Sequence, residues 1–354
     1  MLQTSVQSLV RGGMTKIFGA GAAVVMSIAP VELASSSDIA PKPWQPQINL
    51  ISSIKLQGSF VSPQAIYADS ERIYAGSYQG YLFILERDRQ AGFPIIQTIE
   101  FGSPLTAVRG DEDHLYVASR DGNLYVASKT WPIRFFHASS LSSYGLGALE
   151  VVGPDVYVAK GQAAMTASNQ HLYLSAVNPG DAGIAVSSMQ SYGEEFLPGR
   201  TLVFNRENLQ LLGAIPNTDG GAVKVSAWQD FVFLTQPGCC GTGIDVYDSI
   251  TLRHTQFINR STNTVEGIRR KGASLLIGGS ESGNVDLYAR RLNGFEFINT
   301  VDLRTATGFS GSEDIEIRSL WVDGLDNLVI AGSSWGNDSS RSPNLPSLFI
   351  LEIR

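Results

Sequence analysis

Cysteine is almost absent from this chain. Its 354 residues contain two, Cys239 and Cys240, and they are neighbours. No framework of long-range disulfides can therefore hold the fold. The four histidines, His114, His137, His171 and His254, lie in separate segments. None has metal-ligand spacing, and with so few cysteines a four-ligand zinc site has no source; no metal or cofactor is called for. Charge is sparse, at 17% of residues, and the formal net charge is −7. Without clustered Lys and Arg, nucleic acid is excluded as a partner, and a polybasic membrane patch is missing too. There is no Gly-x-Ser-x-Gly elbow, phosphate loop or dinucleotide fingerprint. No long amphipathic helical pattern occurs either.

Glycine, by contrast, is plentiful at 36 residues, and 43% of the chain is apolar, a composition for a globular body with many tight turns. The first 36 residues read as an export leader. Arg11 and Lys16 precede the apolar run Ile17–Ala34, which ends in small residues and three serines. The competing reading is an uncleaved anchor helix, but Pro30 interrupts the run and its length is short for a span. Export places the protein outside the cell or in a periplasm, with no membrane insertion once the leader is gone. Residues 37–46 then form a linker, and the folded body begins at residue 47.

That body repeats. RIYAGS from Arg72, HLYVAS from His114, DVYVAK from Asp155, FVFLTQ from Phe231, SLLIGG from Ser274 and NLVIAG from Asn327 share one alternating pattern. Their starts are 42, 41, 76, 43 and 53 residues apart, close to the roughly 40–45 residues of a four-stranded propeller blade. Each copy has an alternating run before it, a turn such as SYQG, SRDG or SESG after it, and then another strand. Most close with a fourth strand. The sixth stops at Arg354 after its third, and INLISSIKL, Ile48 to Leu56, has the alternation to supply the missing one. The expected fold is all-β: a single six-bladed β-propeller over residues 47–354. It has four antiparallel strands per blade, and the N-terminal strand completes the last blade.

GIDVYDSITLRHTQF from Gly243 and GNVDLYARRLNGFEF from Gly283 resemble the third and fourth strands of WD40-type blades, with VYD where those carry a Trp-Asp pair. LYVASRDGNLYVAS from Leu115 resembles the LVIVD and YVTN repeats of exported propellers. The resemblance covers nearly all of residues 47–354 and implies a binding platform; it transfers no catalytic residue.

The 76-residue interval implies an insertion, about Gly161 to Gly199, between the second and third strands of the third blade. In a propeller that loop emerges on the face where blades are joined to one another. Cys239 and Cys240 occupy the same loop of the fourth blade, walled in by Gly238, Gly241 and Gly243. Trp335 lies in the long equivalent loop of the sixth. The cysteine pair is compatible with a strained disulfide between neighbours, with free thiols, or with a bridge to another chain. Polar residues entering first strands from that face are Gln64, Lys224, Glu266 and Arg318, together with Thr106.

The expected function is therefore an exported, non-enzymatic binding propeller holding a protein, glycan or small molecule on this face. The enzyme alternative is a site at the channel mouth with quinoprotein-like redox chemistry, since vicinal disulfides touch the cofactor in some quinoprotein propellers. One outcome follows from the leader alone. Sequencing of the exported protein's N-terminus should find a start between Val31 and Ile39; a start at Met1 or Met14 would show that the apolar run is retained.

Overall fold

Alternating apolar residues with β-branched and aromatic side chains build strands, and the turns between them need residues that tolerate a left-handed backbone. Gly80, Gly122 and Gly283, the last residues of SYQG, SRDG and SESG, have φ of 83°, 89° and 77°. The computed structural model describes residues 44–57, 61–141, 145–152, 155–160, 172–177, 183–188, 200–205, 208, 210–216, 224–235, 243–308, 315–334 and 346–354. The leader and most of the linker fall outside this set. Gln45–Arg354 forms one compact unit.

Its strands, in chain order, are β1 (Ile48–Ile54), β2 (Val61–Ala68), β3 (Arg72–Ser77), β4 (Tyr81–Glu86) and β5 (Ile95–Glu100), then β6 (Leu105–Gly110), β7 (His114–Ser119), β8 (Asn123–Ser128) and β9 (Arg134–Ser140). After them come β10 (Leu146–Val152), β11 (Asp155–Lys160), β12 (Leu172–Val177), β13 (Gly183–Ser188), β14 (Arg200–Asn205) and β15 (Leu211–Pro216). The rest are β16 (Lys224–Trp228), β17 (Phe231–Thr235), β18 (Ile244–Asp248), β19 (His254–Ile258), β20 (Thr264–Arg270), β21 (Ala273–Gly279), β22 (Asn284–Arg291), β23 (Gly294–Asp302), β24 (Glu316–Asp323), β25 (Leu328–Ser334) and β26 (Leu348–Ile353). The one described helix, α1 (Leu303–Ala306), is a single turn.

The protein is all-β, and its described sheets are repeated four-stranded antiparallel units: β2–β5, β6–β9, β12–β15, β16–β19, β20–β23 and β1-β26-β25-β24. A seventh sheet has two strands, β10 and β11. The last four-stranded sheet is made from both ends of the chain. Ile48 pairs with Ile353, Leu50 with Leu351 and Ile54 with Leu348, while Gln47 and Arg354 exchange backbone hydrogen bonds of 3.1 and 2.8 Å. First strands are mutual neighbours: β2 packs on β6, β6 on β10, β10 on β12, β12 on β16, β16 on β20, β20 on β24 and β24 on β2.

The expectation of six sheets with an insertion in the third does not describe this arrangement. TLVFNR, expected to be the third strand of the third sheet, is β14, and it pairs with β13. The supposed insertion contains β12 and β13, which open a sheet of their own. The small residues of β13, GIAVSS, hide its apolar alternation.

Burial differs among the third strands. Most described third strands are almost wholly buried, among them β4 and β22. In β8 only Ala127 is buried and the other five residues are half-exposed.

Side-chain chemistry repeats at the turns between first and second strands. Asp69, Asp111 and Asp323 each accept from the backbone N–H groups two and three residues on, the local bonding that favours Asp in turns. Tyr74 and Tyr116 donate their hydroxyls to Asp69 and Asp111 at 3.1 and 2.8 Å. At Asp323 the extra donor comes from another sheet: Arg87 Nη2 lies 2.6 Å from both Asp323 and Asp326. With Arg89 paired twice to Glu352, at 2.9 and 3.0 Å, it ties the first four-stranded sheet to the last.

Because β1 supplies the outer strand of the last sheet, its packing should matter to the whole unit. Ile48 is 2% exposed, and Ile48→Ala should cost about 2–5 kcal/mol in urea unfolding. Ser53→Ala, at an exposed position of the same strand, should stay within about 0.5 kcal/mol. Equal midpoints for both variants and the parent would mean that β1 is not part of the folded unit.

Candidate functional site

The first strands carry ionisable residues where the pattern calls for apolar ones, and the packing of those strands brings them together. Lys224 opens β16 and is 3% exposed. Its ammonium donates to Thr264 Oγ1, at the start of β20, and to the carbonyl of Arg318 on β24 at 3.4 Å. Two residues along each strand, Ser226 Oγ donates to Glu266 Oε2 at 3.3 Å. Arg318 Nε lies 2.5 Å from Glu316 Oε1, which also accepts from Asn263 Nδ2 at 3.3 Å.

Arg109 on β6 completes the group from the other side. Its Nη1 donates to the carbonyls of Gln64 (2.9 Å), Val108 (2.8 Å) and Ile66 (3.3 Å), and its Nε lies 3.4 Å from Glu150 Oε2 on β10. The guanidinium stands 5.4 Å from the ring centre of Trp321. Gln64 can present its carbonyl this way because β2 slips register between Val61 and Ile66. Its φ there is 62°, a rare conformation for a residue with a side chain.

Burial sets the protonation chemistry. It pushes Glu266 above the usual carboxylate range; Lys224 and Arg109 pull it back, and Glu150 adds to the rise. Burial and the nearby Arg109 lower Lys224 from the ordinary lysine range, against the pull of Glu266. Glu150 and Glu316 are also raised by burial, each opposed by its arginine. Perturbed groups gathered in one place mark a candidate site. At its rim burial lifts Tyr78, on the β3–β4 turn, to about 12 against the pull of Arg318 and Arg120.

Of the residues expected from the sequence, the structure brings Lys224, Glu266 and Arg318 into one cluster and joins Gln64 to it through Arg109. Cys239, Cys240 and Trp335 lie outside the described residues, as do the loops that carry them. Arg109, Glu150 and Glu316 are not among the residues expected from the sequence. For Arg109 and Glu150 the signal is in plain view, a charge inside the otherwise apolar alternation of AVRGDE and ALEVVG; Glu316, at the start of β24, is marked only by its burial. Among the described residues no group of His, Cys, Asp and Glu could hold a metal ion.

No family model matches the chain, and no curated protein matches it either.

The raised titration of Glu266 has a sign that can be checked. A folded-state pKa above the unfolded one means stability is complete below the ordinary glutamate range, about 4.3. It is then lost as pH rises through the folded value. Glu266→Gln removes this dependence. In urea unfolding from about pH 4 to pH 8, the variant should gain on the parent as pH rises, by at most about 1.4 kcal/mol per pH unit. A constant gap between the two over that interval would show Glu266 to be an ordinary solvated carboxylate.

Proposed function

We propose that the seven sheets are the blades of one closed β-propeller, with the third blade reduced to two strands. We further propose that the protein is an exported, non-enzymatic binding protein whose ligand sits where the first strands begin. The observation that carries this reading is the meeting of Arg109, Glu150, Lys224, Glu266, Glu316 and Arg318. They come from five first strands, β6, β10, β16, β20 and β24, that only the packing of whole sheets brings near one another. Burying so many ionisable groups is costly for stability, and a purely structural core has no use for them. Perturbed ionisable groups converging in one place are a common mark of a functional site.

The cyclic order of neighbours among first strands supports the ring, and the pairing of β1 with β26 supports its closure without an exposed edge. The apolar leader pattern supports export. The loops that hold Cys239, Cys240 and Trp335 belong, in this reading, to the same face and are available to contact the ligand.

Ligand-observed NMR tests the site with a defined mixture of hexoses, amino acids, dicarboxylates and nucleosides. At least one class should give saturation transfer with the parent protein and lose it with Arg318→Ala. Transfer that is absent for every class, or unchanged in the variant, would remove the first-strand cluster as the binding site.

A further inference from the structure

The cluster on the first strands is balanced. Among the described residues it holds three cations, Arg109, Lys224 and Arg318, and three carboxylates, Glu150, Glu266 and Glu316. The balance does not depend on which of the central pair holds their shared proton. Moving a proton from Lys224 to Glu266 leaves the sum unchanged. The rim repeats the arrangement, with Arg120 acting on Tyr78 and Glu281 acting on Glu316.

We propose that this site takes a neutral polyhydroxylated molecule, a saccharide or polyol, and discriminates against ions of either sign. The inference rests on the binding reading above and deepens it. An ion entering an enclosed site whose own charges already cancel brings a charge with no opposite partner left for it, at several kcal/mol. A hydroxyl meets no such cost. It donates to a carboxylate and accepts from an ammonium or guanidinium, and vicinal hydroxyls do both at once.

A second observation points to the same ligand chemistry. First strands next to the cluster carry buried polar atoms with no protein partner: Ser62 Oγ on β2, Thr106 Oγ1 on β6, and Ser319 Oγ and Trp321 Nε1 on β24. Ser62 and Ser319 are 1% and 0% exposed. Buried polar atoms are ordinarily satisfied. Three of these four are hydroxyls, able to donate or accept, and the fourth is a donor. Such a set matches the hydroxyls of a polyol and offers an ion no charge to pair with. β2 packs on both β6 and β24, and Trp321 carries the Arg109 guanidinium at its face, so the uncharged and charged halves are continuous.

The test is isothermal titration calorimetry with sugars that differ in charge through one substituent. Glucose, glucuronate and 6-amino-6-deoxyglucose, which vary only at C6, make one series, and the galacto and manno forms make two more, all at pH 7.5. In at least one series the neutral sugar should bind at least tenfold more tightly than both charged analogues, which is about 1.4 kcal/mol. Two variants then shift the balance in opposite directions. Glu266→Gln leaves one excess positive charge and should move preference toward the uronate; Lys224→Met leaves one excess negative charge and should move it toward the amino sugar. A charged sugar binding most tightly to the parent would overturn the proposal, and so would preferences that do not move in folded variants. If either variant fails to fold, the parent's ranking alone decides. If no sugar in any series binds while another class in the NMR mixture does, the ligand class is wrong and the binding site stands. If nothing binds in either experiment, both readings fall.

Discussion

The pairing of β1 with β26 is the constraint on which the other sheets depend. A four-stranded sheet of this size is apolar on both faces, as the buried third strands show, and can bury them only between two neighbours. Each sheet has a neighbour on either side as long as the order of first strands returns to β2 through β24. The last sheet would be one strand short if the N-terminal strand did not complete it. The ion pairs of Arg87 and Arg89 lie at the junction of that sheet with β2–β5. Arg87 and Asp323 are 4% and 8% exposed, so removing either partner would strand a buried charge, a larger penalty than losing a surface pair.

Most of this was legible in the sequence, and the part that was not has a physical reason. Second strands announce themselves because their residues are buried on both faces and so read as apolar runs; RIYAGS and SLLIGG became β3 and β21 with those bounds or within a residue of them. The fourth strand supplied from Ile48 was legible because a sheet cannot end on an unpaired apolar edge. β12 and β13 were taken for an insertion. HLYLSAV shows an alternation, but GIAVSS is too poor in large side chains to show its own. The 76-residue interval, short of two full periods, then hides the further sheet. Of the site, Lys224, Glu266 and Arg318 were legible as polar residues at the beginnings of first strands. Arg109 and Glu150 lie further along theirs, where only the packing of β6 on β10 makes neighbours of them.

That position matters for how the site is held. Glu150 stands on β10, in the two-stranded sheet, and its ion pair with Arg109 crosses the junction between that sheet and β6–β9. The buried core there is small: Ala107, Ala118, Leu146 and Leu149, with Tyr116, Leu124, Val156 and Val158 only partly covered. The junction of β2–β5 with its neighbours buries far more, including Phe83, Leu85, Ile330 and Ile350. Local opening follows the amount of apolar contact that must be broken, and among the described residues Glu150 rests on fewer buried apolar side chains than the junction of β2–β5 with its neighbours offers. The ammonium end is on β16, next to a core containing Val225, Val232 and Leu234. A ligand that bridges Glu150 and Lys224 would therefore join β10 to β16, first strands separated by β12, and part of its binding energy would go into holding β10 in place. Binding and stability would then be coupled through Glu150, although that residue adds little to the core by itself.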